Sequence, residues 1–140
     1  MVVASRDLRL GLPEVKRGVL PTSGGLFRAL RSLPMHIAKE VVLTGEELTA
    51  ERAFQYGLVN RLVEPGQALP EALVLAEEIA SNSPTSTRNA LQAMERILAD
   101  GDDLGWAATD YARAEVFASE DRKEGIRAFF DRRQPEWTGR

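Results

Sequence analysis

"GLPEVKRGVLPTSGGLFRALR", Gly11 to Arg31, is the stretch on which the reading of this chain turns. It sets one carboxylate, Glu14, between a proline and a valine in an otherwise apolar run. Pro21, Thr22, Gly24 and Gly25 follow, and then an apolar helix pattern. Pro13 fixes its own φ and restricts Leu12 to extended geometry, so "VVAS" and "LRLGLP" read as short β pieces and Glu14 as the point where a strand ends. From Gly25 onward Leu26, Phe27, Leu30 and Leu33 recur at helical spacing, with Arg28 and Arg31 on the other face, and this helix is predicted to stop near Pro34. Loops at the ends of strands are where binding and catalytic groups concentrate.

Outward from that stretch, Met35 to Leu43 carries Ile37, Ala38, Val41 and Val42 and reads as a second helix. Thr49 is a candidate N-cap for a third, with Gly57 as its stop. Leu58 to Gly66 reads as a strand closed by a turn, and "LPEALVLAEEIASNSP" as an amphipathic helix. After Ser81 no strand signal survives. Pro84 to Ala99, Asp103 to Ala118 and Asp121 to Arg133 are predicted helices, the first capped by Ser83 with Pro84 at the opening position, where a missing N–H costs nothing. The expected organisation is therefore α/β over residues 1–82, followed by an all-helical region over 83–140. The stripe Ala90, Leu91, Met94, Ile97 and Leu98 must pack on the first half or on another chain, because helices this short rarely hold alone.

Composition narrows the function classes. A chain of 140 residues matches one ordinary domain and can bury a core without disulfides or metal. A formal net charge of -3 gives no global attraction to nucleic acid or to an anionic membrane, so neither is an expected partner. The absence of cysteine removes disulfides, thiolate metal sites and cysteine nucleophiles, and it fits a reducing compartment. "MVVASRDLRL" meets charge at Arg6 after a short apolar run, so it reads as neither a signal peptide nor a membrane span, and a cytoplasmic location is expected. His36 is the only histidine, which leaves no support for a histidine metal cluster or a serine–histidine triad. It reads as structural or exposed, and no metal site is expected.

Glu14 has two readings from its neighbours. It is a structural carboxylate that caps or pairs with Lys16 or Arg17, or it is buried by Leu12, Pro13, Val15 and Val19. An apolar surround disfavours the charged form of a carboxyl, which suits proton transfer near neutral pH. "PTSGG" is a turn into a helix, or else a run of N–H groups able to hold an anion, a polarised carbonyl or a water. It matches neither the G-x-x-x-x-G-K-[ST] nor the G-x-G-x-x-G phosphate pattern. Trp106, Tyr111, Phe117, Phe129 and Phe130 fall on helices where core or interface packing explains them. From Arg122 on, Arg122, Lys123, Arg127, Arg132, Arg133 and Arg140 outnumber Glu124, Asp131 and Glu136. That tail is a solvated face with internal pairing, or a phosphate clamp beside aromatic surface for a nucleotide-like ligand.

Taken in order, the Gly11–Arg31 block, "A-x-E-V-V-L-T-G" at Ala38 to Gly45, "AERAFQYGLVNRLV" at Ala50 to Val63, and "SEDRKEGIRAFFDRRQPEW" at Ser119 to Trp137 resemble the enoyl-CoA hydratase/isomerase (crotonase) superfamily. The resemblance runs over essentially the whole chain, but it covers the C-terminal portion of a family member. It implies the C-terminal part of a crotonase-like ββα-spiral in residues 1–82 and a helical oligomerisation region in 83–140. The family's first strands, both oxyanion-hole donors and a further catalytic carboxylate belong to the part that is not matched.

By the same resemblance, Glu14 corresponds to one of the two glutamates that handle the water and the α-carbon proton in hydration of a trans-2-enoyl-CoA. Thr22 stands where the family usually has a glycine whose backbone N–H holds the catalytic water. Phe129 and Arg132 correspond to positions that approach the adenine and phosphate part of CoA. The implied substrate is an acyl-CoA thioester, with no separate cofactor, since CoA is part of the substrate. The implied assembly is a homo-oligomer, a trimer or a dimer of trimers. The competing expectation is a non-catalytic CoA-binding or oligomer-assembly module of the same descent.

Overall fold

The computed structural model describes residues 1–99 and 101–139, without the side chains of residues 85, 96, 97 and 99. The side chain of Ile97 in the predicted stripe, and Arg140 of the basic tail, therefore lie outside what is described. The first half runs β1 (Val3–Ser5), β2 (Arg9–Leu10), a 3-10 turn (Pro13–Arg17), α1 (Gly25–Ser32), α2 (Met35–Thr44), β3 (Leu48–Thr49), α3 (Ala50–Gln55) and β4 (Arg61–Val63). Helices α4 (Ala68–Ala80), α5 (Pro84–Ala99), α6 (Asp102–Ala118) and α7 (Glu120–Asp131) complete it.

These elements form two compact units that interleave along the chain. One is Met1–Leu10 with Thr49–Asp103, and the other is Gly11–Leu48 with Leu104–Arg140. Strand pairing interleaves them: β1 and β4 are parallel, in the register Val3↔Arg61, Ala4↔Leu62 and Ser5↔Val63. Parallel strands need a long crossover, and much of that crossover is spent on the second unit.

In the first unit Ala4, Ala53 and Val59 are buried together, with Leu8, Leu10, Leu58 and Leu62 packed against them. Thr49 caps α3 as its sequence predicts, its hydroxyl accepting from the Arg52 N–H at 3.2 Å. Gly57, at φ +77°, ends the turn that follows. The strand expected over 58–66 is shorter, because the N–H groups of Leu58 and Val59 are spent on the Ala53 carbonyl at 2.9 and 3.3 Å. Arg61 ties β4 to α4 through Glu71 at 2.8 Å and through Glu78. The Ser83 hydroxyl accepts from the Ser86 N–H at 3.4 Å, the cap read for α5.

In the second unit α6 lies so close to α1 that a Cβ on Gly105 would sit 2.4 Å from Phe27. Phe27 meets Trp106 edge-on, with centroids 5.2 Å apart. Buried Thr109 satisfies its hydroxyl by donating to the Gly105 carbonyl at 2.8 Å. Helix α7 starts one residue before its predicted Asp121, because Ser119 accepts from the Arg122 N–H at 3.1 Å. It ends before Arg133 because Arg132 takes a left-handed φ of 52°. Trp106, Tyr111, Phe117, Phe129 and Phe130 remain substantially exposed on the single chain.

Candidate functional site

The 3-10 turn Pro13–Arg17 carries Glu14, and it packs on α2 and α7 within the second unit. Pro13 opens the turn, and Gly18, at φ 66°, closes it with its N–H on the Glu14 and Val15 carbonyls. Two glycines let α7 approach this backbone. A Cβ on Gly125 would lie 2.4 Å from the Arg17 carbonyl oxygen, and one on Gly18 would lie 2.6 Å from that of Asp121. The turn is thereby clamped by backbone contact, which positions Glu14 more firmly than a free loop would.

The two basic neighbours make contacts elsewhere. Lys16 pairs with Glu46 at 2.7 Å, and the Arg17 guanidinium stacks 5.1 Å from the centre of the Phe129 ring. Among the described residues the Oε2 of the Glu14 carboxyl is buried and has no hydrogen-bond partner. An unsatisfied buried acceptor costs about 1–3 kcal/mol, and in native proteins such a group calls for an explanation such as a catalytic role.

Thr22 lies in the turn between buried Pro21 and Gly24, and it is itself half-buried. Among the described residues its N–H donates to no backbone carbonyl. Gly24, at φ 84°, leads into α1, and a Cβ on Gly25 would come within 2.9 Å of Pro21. Thr22 and Glu14 belong to the same unit and to successive turns of its backbone.

Phe129 is 55% exposed and forms a wall of a cavity of about 210 Å3, together with Pro13, Lys16, Arg17 and Arg133. Arg132 sits at the left-handed end of α7, exposed and outside that cavity's lining. The structure thus joins Phe129 to the Glu14 turn through Arg17 and leaves Arg132 outside that cavity's lining. Arg133, read in the sequence only as part of a basic tail, is committed to Glu124 by two bonds of 2.6 and 3.0 Å.

A larger groove of about 400 Å3 follows the turn, lined among others by Val15, Val19, Leu20, Val116 and Trp137. Trp137 stands on a tail strapped to α7. Asp121 accepts from the Thr138 N–H at 2.6 Å, from its hydroxyl at 2.9 Å, and from the Gly139 N–H. Glu124 accepts from the Glu136 N–H at 3.0 Å. The Arg133 guanidinium, and then that N–H, hold the Glu124 carboxyl down at about 2. The Thr138 N–H is the main cause that holds Asp121 below its ordinary value. Sequence reading missed Gly18, Gly125 and this strap. Only the small residues and the spacing of acids along α7 signalled them, and neither means anything before the partners are known.

Among the described residues no group of three or more His, Asp or Glu side chains is placed to hold a metal, and no helix is long and apolar enough to cross a membrane.

The family model for enoyl-CoA hydratase/isomerase matches residues 1–140. A 2,3-dehydroadipyl-CoA hydratase of Escherichia coli is 38% identical over 140 residues, covering 100% of this chain and 55% of the relative. A short-chain-enoyl-CoA hydratase of Clostridium acetobutylicum is 35% identical over 96% of this chain and 51% of its own length. Among solved structures, a carnitinyl-CoA dehydratase from Mycobacterium avium superposes with a TM-score of 0.91 at 42% identity, covering 100% of this chain and 56% of that one. The chain spans about half the length of the curated relatives it matches.

Proposed function

Since the chain belongs to the enoyl-CoA hydratase/isomerase family, we propose that it supplies one catalytic half of a hydratase that adds water across the double bond of a trans-2-enoyl-CoA. The observation that carries this reading is the buried, unpartnered Oε2 of Glu14 on a backbone-clamped turn. Hydration needs a water aimed at the β-carbon, a proton delivered to the α-carbon, and donors that take up the charge developing on the thioester oxygen. Glu14 exchanges protons with the water and the α-carbon. The Thr22 N–H orients the water, a backbone role that a threonine fills as a glycine does.

The donors for the thioester oxygen, and a second carboxylate, come from the part of the family fold that this chain does not match. Phe129, which shares a cavity wall with Lys16 and Arg17, offers a ring face to the adenine of CoA, and Arg132 a charge to its phosphates. CoA arrives with the substrate, so no further cofactor enters. The assembly proposed is a homo-oligomer, a trimer or a dimer of trimers. Exposed aromatics on α6 and α7, Tyr111, Phe117 and Phe130 among them, support it. A cytoplasmic site of action is part of the same reading.

The test separates chemistry from binding in an assembly completed with the unmatched part of a relative. Glu14→Gln is expected to lower kcat for crotonyl-CoA by about 10²–10⁴-fold with little change in KM. Arg132→Ala is expected to raise KM and spare kcat. A Glu14→Gln enzyme that keeps its kcat would end the acid–base assignment. CoA bound tightly with no turnover in either form would favour the non-catalytic module.

A further inference from the structure

The proposed hydration uses the N–H of Thr22 and leaves its side chain idle. Hydroxyls near helix starts are ordinarily spent on capping, and in this chain those of Thr49, Ser83 and Ser119 each accept from the N–H three residues on. Helix α1 departs from that pattern. Its N-cap is Gly24, and no side chain caps it. Among the described residues the Thr22 hydroxyl has no hydrogen-bond partner. Ser23 is exposed, so water serves its hydroxyl, whereas Thr22 is half-buried.

The backbone holds the turn that carries Thr22 against the one that carries Glu14. The Val19 N–H donates to the Glu14 carbonyl at 3.2 Å, which closes the Glu14 turn just before Pro21. A Cβ on Gly25 would lie 2.9 Å from Pro21 and 3.3 Å from the Leu12 side chain. The start of α1 thus rests on residues that flank Glu14 from both sides. Within Thr22, Oγ1 and the N–H branch from one Cα, and β-branching leaves χ1 few positions. A molecule that meets the N–H therefore has the hydroxyl as its neighbour. That hydroxyl both donates and accepts, and an alkyl group packed on it leaves it unpaired, a loss that a polar substituent avoids.

We infer that the Thr22 hydroxyl is a specificity group, selecting trans-2-enoyl-CoA thioesters that carry a hydroxyl on the γ-carbon over those that carry alkyl there. The inference rests on the hydratase reading, which puts the Thr22 N–H on the water at the β-carbon and so brings the hydroxyl beside the next carbon of the acyl chain.

The test compares two pairs of matched shape in the completed assembly. 4-Hydroxycrotonyl-CoA and trans-2-pentenoyl-CoA differ by a hydroxyl in place of a methyl. So do the saturated 4-hydroxybutyryl-CoA and pentanoyl-CoA, whose affinities need no turnover and are read by isothermal titration calorimetry. Thr22→Val keeps the shape and the N–H but removes the hydroxyl. It is expected to cut the preference for the hydroxylated member, in kcat/KM and in Kd, by about fivefold. Thr22→Ala should do the same, and Thr22→Ser should keep the preference. Each preference is compared between variants, so the intrinsic reactivity of the two thioesters cancels.

Preferences indifferent to Thr22→Val and Thr22→Ala, a Thr22→Ser form that loses what Thr22→Val loses, or no binding of either thioester would each overturn the inference. Turnover that Glu14→Gln abolishes, with preferences indifferent to the Thr22 substitutions, overturns it and leaves the hydratase reading in place. Affinities that obey the substitutions without any turnover uphold the role of the hydroxyl and count against that reading.

Discussion

Gly125 lacks a side chain because the Arg17 carbonyl oxygen already occupies the space, 2.4 Å from where a Cβ would stand. Alanine there must push the Glu14 turn off α7, and overpacking of this kind costs about 1–3 kcal/mol. Gly57 is the control, since it has a positive φ of +77° but nothing within 4 Å of its Cβ position. Gly57→Ala should therefore bring backbone strain alone. Urea unfolding midpoints are expected to fall further for Gly125→Ala than for Gly57→Ala, and equal losses would show that the close approach is unimportant. At this scale the sequence singled out Glu14 by its proline and apolar flanks. It did not reveal where Lys16 and Arg17 would reach, because that depends on Glu46 and Phe129, which are remote in sequence.

Helix α7 and the tail that folds back on it act as one element, and their acids set its pH response. Glu124 is held at about 2, below the ordinary 4.5, by the Arg133 guanidinium and the Glu136 N–H. Asp121 is shifted the same way by Thr138 and Gly139. A carboxylate with a depressed folded pKa contributes stability that is fully present above its ordinary value and is lost as pH falls through the folded one. The strap is thus expected to hold at neutral pH and to loosen as pH drops from about 4.5 toward 2. Trp137 fluorescence, followed in a Trp106→Phe background, reads this directly. Glu124→Gln should give the loosened signal at neutral pH, and an unchanged signal would remove the strap as a determinant of the groove wall. The helix itself was legible from periodicity. Its bounds were displaced by Ser119 as cap and by Arg132 in the left-handed region, features of one residue each that periodicity does not resolve.

For the whole molecule, removal of a single oxyanion donor costs about 10²–10³ in rate, and both donors are proposed to lie in the unmatched part of the fold. The purified 140-residue chain is accordingly expected to hydrate crotonyl-CoA at a rate lower by at least about that factor than a completed assembly. Stopped assays at equal protein concentration measure it. Family-like turnover by the chain alone, abolished by Glu14→Gln, would contradict the division of labour between the two parts.

What the amino-acid order determined by itself was local: the proline-led turn with its carboxylate, the Thr49 and Ser83 caps, the helical periods, and the ordered blocks that mark the family. These depend on neighbours within a few residues, where φ restriction, capping and side-chain spacing act. The tertiary structure alone decided that the chain forms two interleaved units, that Gly18 and Gly125 admit α7 to the Glu14 turn, and that Arg133 is spent on Glu124. Each of those outcomes depends on which distant segments come to share space, and a parallel strand pair joined by a long crossover specifies that only once the fold has formed.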